Sequence, residues 1–187
     1  MTSLEFLLLG ALSAGSVTAV LAWSRHLPKA PQVVLAALAT AALVVAVLGV
    51  HFSGRTRGDV QEWVALAATV LAVVGGGPVV VAVFTLLERS SPSGAQEGVG
   101  QGMRGGAWIG ALERLAIVGT LVAGWPEGMA GVLAIKALGR YPELRHGDRP
   151  GAAEGFIIGT LVSTLWAVAC AYVVSGGIVG GLRGIAP

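Results

Sequence analysis

The sequence has little charge, one cysteine, three histidines and no asparagine. Only 12% of its 187 residues are charged, about half the share of a typical soluble domain, so it cannot build a water-soluble surface. The lone Cys170 excludes an intrachain disulfide. The histidines lie between different apolar runs, which argues against a histidine-ligated metal site. We predict no metal and no cofactor.

Apolar residues dominate what remains, at 55% of the chain. They form long runs, each of a length typical of a membrane-embedded helix or slightly shorter. The basic residues are scattered singly between these runs, so they are expected to set topology and meet lipid headgroups rather than bind nucleic acid. The pattern predicts an all-α, polytopic transmembrane bundle of about six helices, with runs at residues 6–23, 33–50, 63–87, 107–124, 129–141 and 155–174.

The chain is predicted to form a single integral membrane domain over residues 1–187. Helices one to three occupy residues 1–88, a Gly- and Ser-rich segment at 89–106 is expected to be a flexible loop, and residues 107–187 hold helices four to six and a tail. The fifth run is short for a crossing and is expected to end at Pro142.

The third run contains the sequence Gly75-Gly76-Gly77-Pro78. Proline removes a backbone donor and clashes with the preceding turn, and glycine offers no side-chain packing. The sequence therefore predicts that helix three is broken near mid-membrane, either as a packing kink or as part of a binding site.

Lysine and arginine are distributed unequally between the predicted loops, seven on one side and three on the other. The positive-inside rule then places the first set in the cytoplasm and both termini outside, in the plasma (bacterial inner) membrane. The first set is Arg25, Lys29, Arg89, Arg104, Arg140, Arg145 and Arg149, and the second is Arg55, Arg57 and Arg183.

Three charged residues fall inside apolar runs: Glu113 and Arg114 in the fourth and Lys136 in the fifth. Each costs about 3 kcal/mol at membrane depth unless it is paired or faces water. Counted from the turn at Trp125, Glu113 and Lys136 lie at matching depth, which predicts an ion pair between adjacent antiparallel helices. Arg114 points elsewhere and needs another acceptor, either a carbonyl freed at residues 75–78 or a neighbouring protomer.

Further polar residues extend this group. Lys136 and Arg140 are i,i+4 neighbours and form a basic stripe that Glu154 is placed to meet. Thr160, Ser163 and Thr164 add hydroxyls to helix six, which either bond their own backbone or line a polar path. The whole set is interpreted either as an ion or solute path or as structural ion pairs that lock helices together.

The C-terminal part resembles a family of bacterial multi-pass membrane proteins of unknown function. The resemblance covers about residues 106–171 and lies in Ile109–Leu115, in Lys136 with Arg140–Leu144, and in Glu154 with Ile158–Ser163. It departs from the family at Ala137 and Gly155 and lacks the polar motif of the family's first helix. The resemblance implies membrane location and draws attention to the same charged residues, but it implies no activity.

Two functions are weighed. The first is a small, homo-oligomeric channel or transporter that conducts an ion or small solute past the charge cluster. The alternative is an accessory or scaffold subunit of a larger membrane complex, in which the charges serve assembly. No nucleophile–base pair, metal-ligand cluster or phosphate motif is present, so an enzyme is disfavoured and no catalytic residue is assigned. The expected partners are lipid and either second copies of the chain or other membrane subunits.

Overall fold

A computed structural model describes residues 3–24, 27–53, 58–90, 106–146 and 152–177. Throughout these residues the chain is helical and contains no strand, which confirms the predicted all-α bundle of six helices. The helices are α1 (Ser3–Ala22), α2 (Lys29–Ser53), α3 (Gly58–Ser90), α4 (Gly106–Val122), α5 (Glu127–His146) and α6 (Ala152–Val174). Of the loop predicted at 89–106, residues 89–90 and 106 belong to α3 and α4, and residues 91–105 lie outside the described residues, as does the tail after residue 177.

Four of the helices, α1, α2, α3 and α6, are long and apolar enough to cross a membrane. The other two fall short for different reasons. α4 has 17 residues and so spans about 26 Å, slightly less than a bilayer core of about 30 Å. α5 has 20 residues, but five of them are charged. The chain is therefore a membrane protein with four plain spans and an α4–α5 hairpin of a different character.

α3 is the central helix and packs against α1, α2, α4 and α6. Its residues Val64, Ala68, Leu71 and Ala72 are fully buried. α1 and α2 cover one side of it, while α4 and α6 cover the other. α5 stands at the edge of the bundle, where it packs chiefly against α4. Because side chains in a helix point outward all round, a central α3 must be apolar on every face, as this one is.

α3 is continuous from Gly58 to Ser90, so the prediction that it is broken at residues 75–78 is wrong. Pro78 sits inside the helix. The helix can continue because a side chain from elsewhere in the sequence supplies the hydrogen-bond donor that the proline lacks. A helix carbonyl normally accepts from the N–H four residues on, so Pro78 leaves only the carbonyl of Val74 without its backbone donor. The indole Nε1 of Trp23, just after α1, donates to this oxygen at 2.8 Å.

α5 also passes through a proline that was expected to end it. The helix runs on to His146 and holds Pro142 in its last turns. A proline there removes one backbone hydrogen bond near an end whose final carbonyls have no helical partner in any case. The residues between Pro142 and His146 are therefore helical, although the sequence predicts a loop there.

Candidate functional site

One turn of α3, Leu71–Val74, accepts side-chain hydrogen bonds at all four of its carbonyls, and we call it the carbonyl turn. The donors come from three different parts of the chain. They are Trp166 Nε1 to Leu71 O (3.2 Å), Arg114 Nε to Ala72 O (2.8 Å), Arg114 Nη2 to Val73 O (2.6 Å) and Trp23 Nε1 to Val74 O (2.8 Å). The carbonyl turn is therefore where three parts of the chain bond to α3, namely the segment that follows α1, helix α4 and helix α6.

Three consecutive glycines make this approach possible. A Cβ atom on Gly75 would collide with the indole of Trp166, one on Gly76 would lie 2.5 Å from Arg114 Cδ, and one on Gly77 would lie 2.7 Å from the Trp23 ring. Real Cβ atoms do not come this close to other heavy atoms. The glycines that were predicted to weaken α3 instead let three long side chains reach its backbone.

Arg114 is 3% exposed and belongs to the centre of the bundle. Besides its two bonds to the carbonyl turn, its Nη1 lies 3.4 Å from Ser163 Oγ on α6. Of the two acceptors foreseen for Arg114, the structure shows the one on helix three. The carbonyl freed by Pro78 goes to Trp23, however, and Arg114 bonds to the two carbonyls before it. A forked guanidinium suits this role because it can donate to two adjacent carbonyls at once.

Glu113 and Lys136 are brought together as an ion pair, with Lys136 Nζ 2.5 Å from Glu113 Oε2. The pair links α4 to α5. It is mostly shielded, since the Glu113 side chain is 12% exposed and that of Lys136 is 20% exposed. The equal depth inferred from the turn at Trp125 therefore corresponds to a real contact. Arg114, the next residue along α4, points instead to α3 and α6.

The remaining predicted site residues are more scattered. Arg140 is half-buried one turn beyond Lys136 on α5, while Glu154 is exposed in the first turn of α6 and makes no ion pair with any described residue. Thr164 is half-buried. Thr160 is different, because its Oγ1 is buried and has no hydrogen-bond partner among the described residues.

The two tryptophans of the carbonyl turn are the residues that sequence reasoning misses. Both lie at least 50 positions from their acceptors in the sequence, so no local pattern connects them. One signal was available: a buried indole N–H needs an acceptor, and a proline inside a helix leaves a carbonyl that needs a donor. Matching such unsatisfied donors and acceptors would have suggested a tryptophan near residues 71–78.

These features define an integral membrane protein with a central helix and a largely shielded charge cluster, Glu113, Arg114 and Lys136. Comparison with known proteins finds no matching family model, no similar curated protein and no similar solved structure. The resemblance drawn from the sequence therefore stays a prediction, as do the type of membrane and the orientation of the termini.

Proposed function

We propose that this chain is a non-conducting, oligomeric scaffold subunit of the membrane, in which the charge cluster holds the protein's own helices together. The observation that carries this is the set of partners of the cluster. Arg114 donates to Ala72, Val73 and Ser163, and Lys136 donates to Glu113. Charged groups that line an ion path must be able to exchange their bonding partner for the passing ion. The charged groups of this cluster are instead bonded to groups of the same chain.

The packing at the centre of the bundle supports the same proposal. The position where a polar path was expected, beside residues 75–78 of α3, is filled by Trp23, Arg114 and Trp166. The neighbouring residues Leu71, Ala72 and Ala167 are 0% exposed. A centre filled by side chains in this way leaves no room for a column of water.

α5 supplies the reason for proposing an oligomer. It packs chiefly against α4 and carries five charged residues, yet Ile135 and Leu138 are 74% and 72% exposed. A charged helix with so little cover is poorly suited to lipid. Its outer side also has Gly131 and Gly139, where an added Cβ would meet nothing within 4 Å. Small residues permit close helix approach, so we propose that α5 packs against α5 of a second copy.

Cross-linking tests this contact. Gly131→Cys is expected to give a disulfide-linked dimer in native membranes, while Gly10→Cys on α1, which is equally open, is the matched control and should stay monomeric. The native Cys170 is fully buried and should not react. Equal cross-linking of both variants, or of neither, contradicts the α5 contact. A cross-link from residue 131 to a different protein would show that α5 contacts another subunit instead of a second copy of this chain.

A flux assay separates the scaffold from the second candidate, an oligomeric channel or transporter. One observation favours the latter: the Glu113–Lys136 pair retains some exposure and lies between α4 and α5, the side that an α5 contact would place at an interface between copies. Proteoliposomes containing the scaffold should pass ions no faster than empty vesicles. Flux that Glu113→Gln alters, while Glu154→Gln does not, would establish the transporter and refute the scaffold.

The same variants also report on assembly. Glu113→Gln leaves Lys136 without its carboxylate and should loosen α5 from α4, so the oligomer recovered on native gels should decrease. Lys136→Met should act in the same way, and the double variant should recover part of the loss because neither charge is then left unpaired. Glu154→Gln, which removes an exposed charge, is expected to leave the oligomer unchanged.

A further inference from the structure

We infer that the interface between α4 and α6 holds a binding site for a small inorganic anion such as chloride, formed by Arg114, Ser163 and Thr160. The inference starts from the hydroxyls of the helices. Serine and threonine inside a helix commonly donate to a carbonyl three or four residues back. Six of them do so here, namely Ser16, Thr18, Thr40, Thr69, Thr85 and Thr120.

Thr160 and Ser163 depart from this pattern. Thr160 Oγ1 is buried without a partner, and Ser163, 8% exposed, donates to no acceptor among the described residues. They lie three residues apart, so they are neighbours on one face of α6. That face is directed toward α4, because Ser163 Oγ lies 3.4 Å from Arg114 Nη1. Two hydroxyls that donate to no acceptor therefore share the face of α6 on which Ser163 meets the Arg114 guanidinium.

Arg114 adds further unused donors. A guanidinium has five N–H hydrogens, and Nε, Nη2 and Nη1 each donate one within the described part of the chain. One hydrogen on Nη1 and one on Nη2 are left, and the bond from Nη1 to Ser163 is long at 3.4 Å. No carboxylate of the described residues pairs with Arg114, since Glu113 is bonded to Lys136. The site thus offers several free donors and a positive charge, with no carboxylate to balance it.

Charge and space agree with an anionic ligand. The cluster Glu113, Arg114 and Lys136 has two cations and one carboxylate, so one positive charge is left uncompensated in a low-dielectric interior. Gly110 lies one turn before Arg114 on α4, and a Cβ added there would meet only Arg114 atoms within 4 Å, Nη1 at 3.1 Å. No atom of α6 lies within 4 Å of this Cβ position, so there is room beside Nη1. A site with free donors, spare positive charge and space suits a ligand that is anionic and accepts hydrogen bonds.

The test is the thermal unfolding midpoint of the purified full chain in detergent, measured with chloride or gluconate at fixed ionic strength. A ligand bound only by the folded state raises the midpoint as its concentration rises. The wild type should therefore unfold several degrees higher in chloride. Thr160→Val and Ser163→Ala should lose this difference, while Thr85→Val should keep it, because Thr85 is similarly buried but bonds to its own backbone.

The behaviour in gluconate adds a second check. Thr160→Val removes a buried hydroxyl without a partner, so in gluconate it should be at least as stable as the wild type and in chloride less stable. Equal midpoints of the wild type in the two salts would overturn the inference, as would a chloride effect that both variants retain. If Thr160→Val does not fold, Gly110→Ala, whose methyl fills the space beside Nη1, makes the same test. None of these outcomes depends on whether the chain conducts ions.

Discussion

Replacing Arg114 tests whether its fork of hydrogen bonds or its charge stabilises the bundle. Arg114→Lys keeps the charge but replaces the planar fork by one ammonium group, which cannot reproduce the bonds that two separate nitrogens of Arg114 make to the two carbonyls at 2.8 and 2.6 Å together with the contact to Ser163. Arg114→Met removes the charge and all its donors but fills similar space. We expect the lysine variant, although chemically closer, to be the less stable of the two.

The magnitudes follow from what each variant leaves behind. Hydrogen bonds to a charged group contribute about 1.5–3 kcal/mol each, so Arg114→Lys should lose about 3–5 kcal/mol, as expected for a buried charge with too few partners. In Arg114→Met the carbonyls of Ala72 and Val73 keep their helical donors from Gly76 and Gly77, and no buried charge is left. Its loss should stay below about 2 kcal/mol.

The assay is reversible unfolding in mixed micelles, with helicity measured as a function of the denaturing detergent fraction. Wild type, Arg114→Lys and Arg114→Met are compared at one protein concentration, because oligomerisation makes stability depend on concentration. A lysine variant as stable as the wild type would refute the reasoning. A methionine variant less stable than the lysine variant would show that the charge itself is needed at this position.

Two further predictions concern α3. Gly76→Ala places a methyl in the path of a buried side chain and should cost about 1–3 kcal/mol in the same unfolding assay, whereas Gly10→Ala at an open position of α1 should be neutral or slightly stabilising; equal effects would contradict the close approach. Trp23→Phe removes the donor to the carbonyl of Val74, which has no other among the described residues, and should cost about 1–2 kcal/mol. In a Pro78→Ala background, which restores the backbone N–H, this cost should fall; an unchanged cost would contradict the role given to Trp23.

The sequence predicts the helices of this protein well because each is marked by an apolar run, and a membrane leaves the backbone few alternatives to a helix. It also predicts the Glu113–Lys136 contact, because depth on two helices joined by a short turn is simple counting. Both results rest on local information. The hydrogen-bond partners of Arg114 are predicted only in part. Whether Arg114 bonds to a carbonyl of helix three or to a second protomer depends on how the helices are arranged, which the sequence does not show.

What the sequence does not predict depends on long-range contacts. The continuity of α3 through Pro78 is decided by Trp23, which is 51 residues away from its acceptor. No periodicity or propensity connects the two. The extension of α5 through Pro142 is a different case, because the cost of a proline depends on how many helical bonds follow it, and this is known only once the helix end is known.

The broken helix and the buried charge were the two features that suggested a transport site, because both leave polar groups unsatisfied at membrane depth. In the structure these features lie beside one another at the carbonyl turn. The carbonyl that Pro78 frees is bonded by Trp23, and Arg114 bonds to the two carbonyls before it. Both features therefore belong to the packing around α3, which supports the proposed scaffold rather than a conducting role. The polar groups that stay unsatisfied, such as the Thr160 hydroxyl, are the better places to look for a ligand.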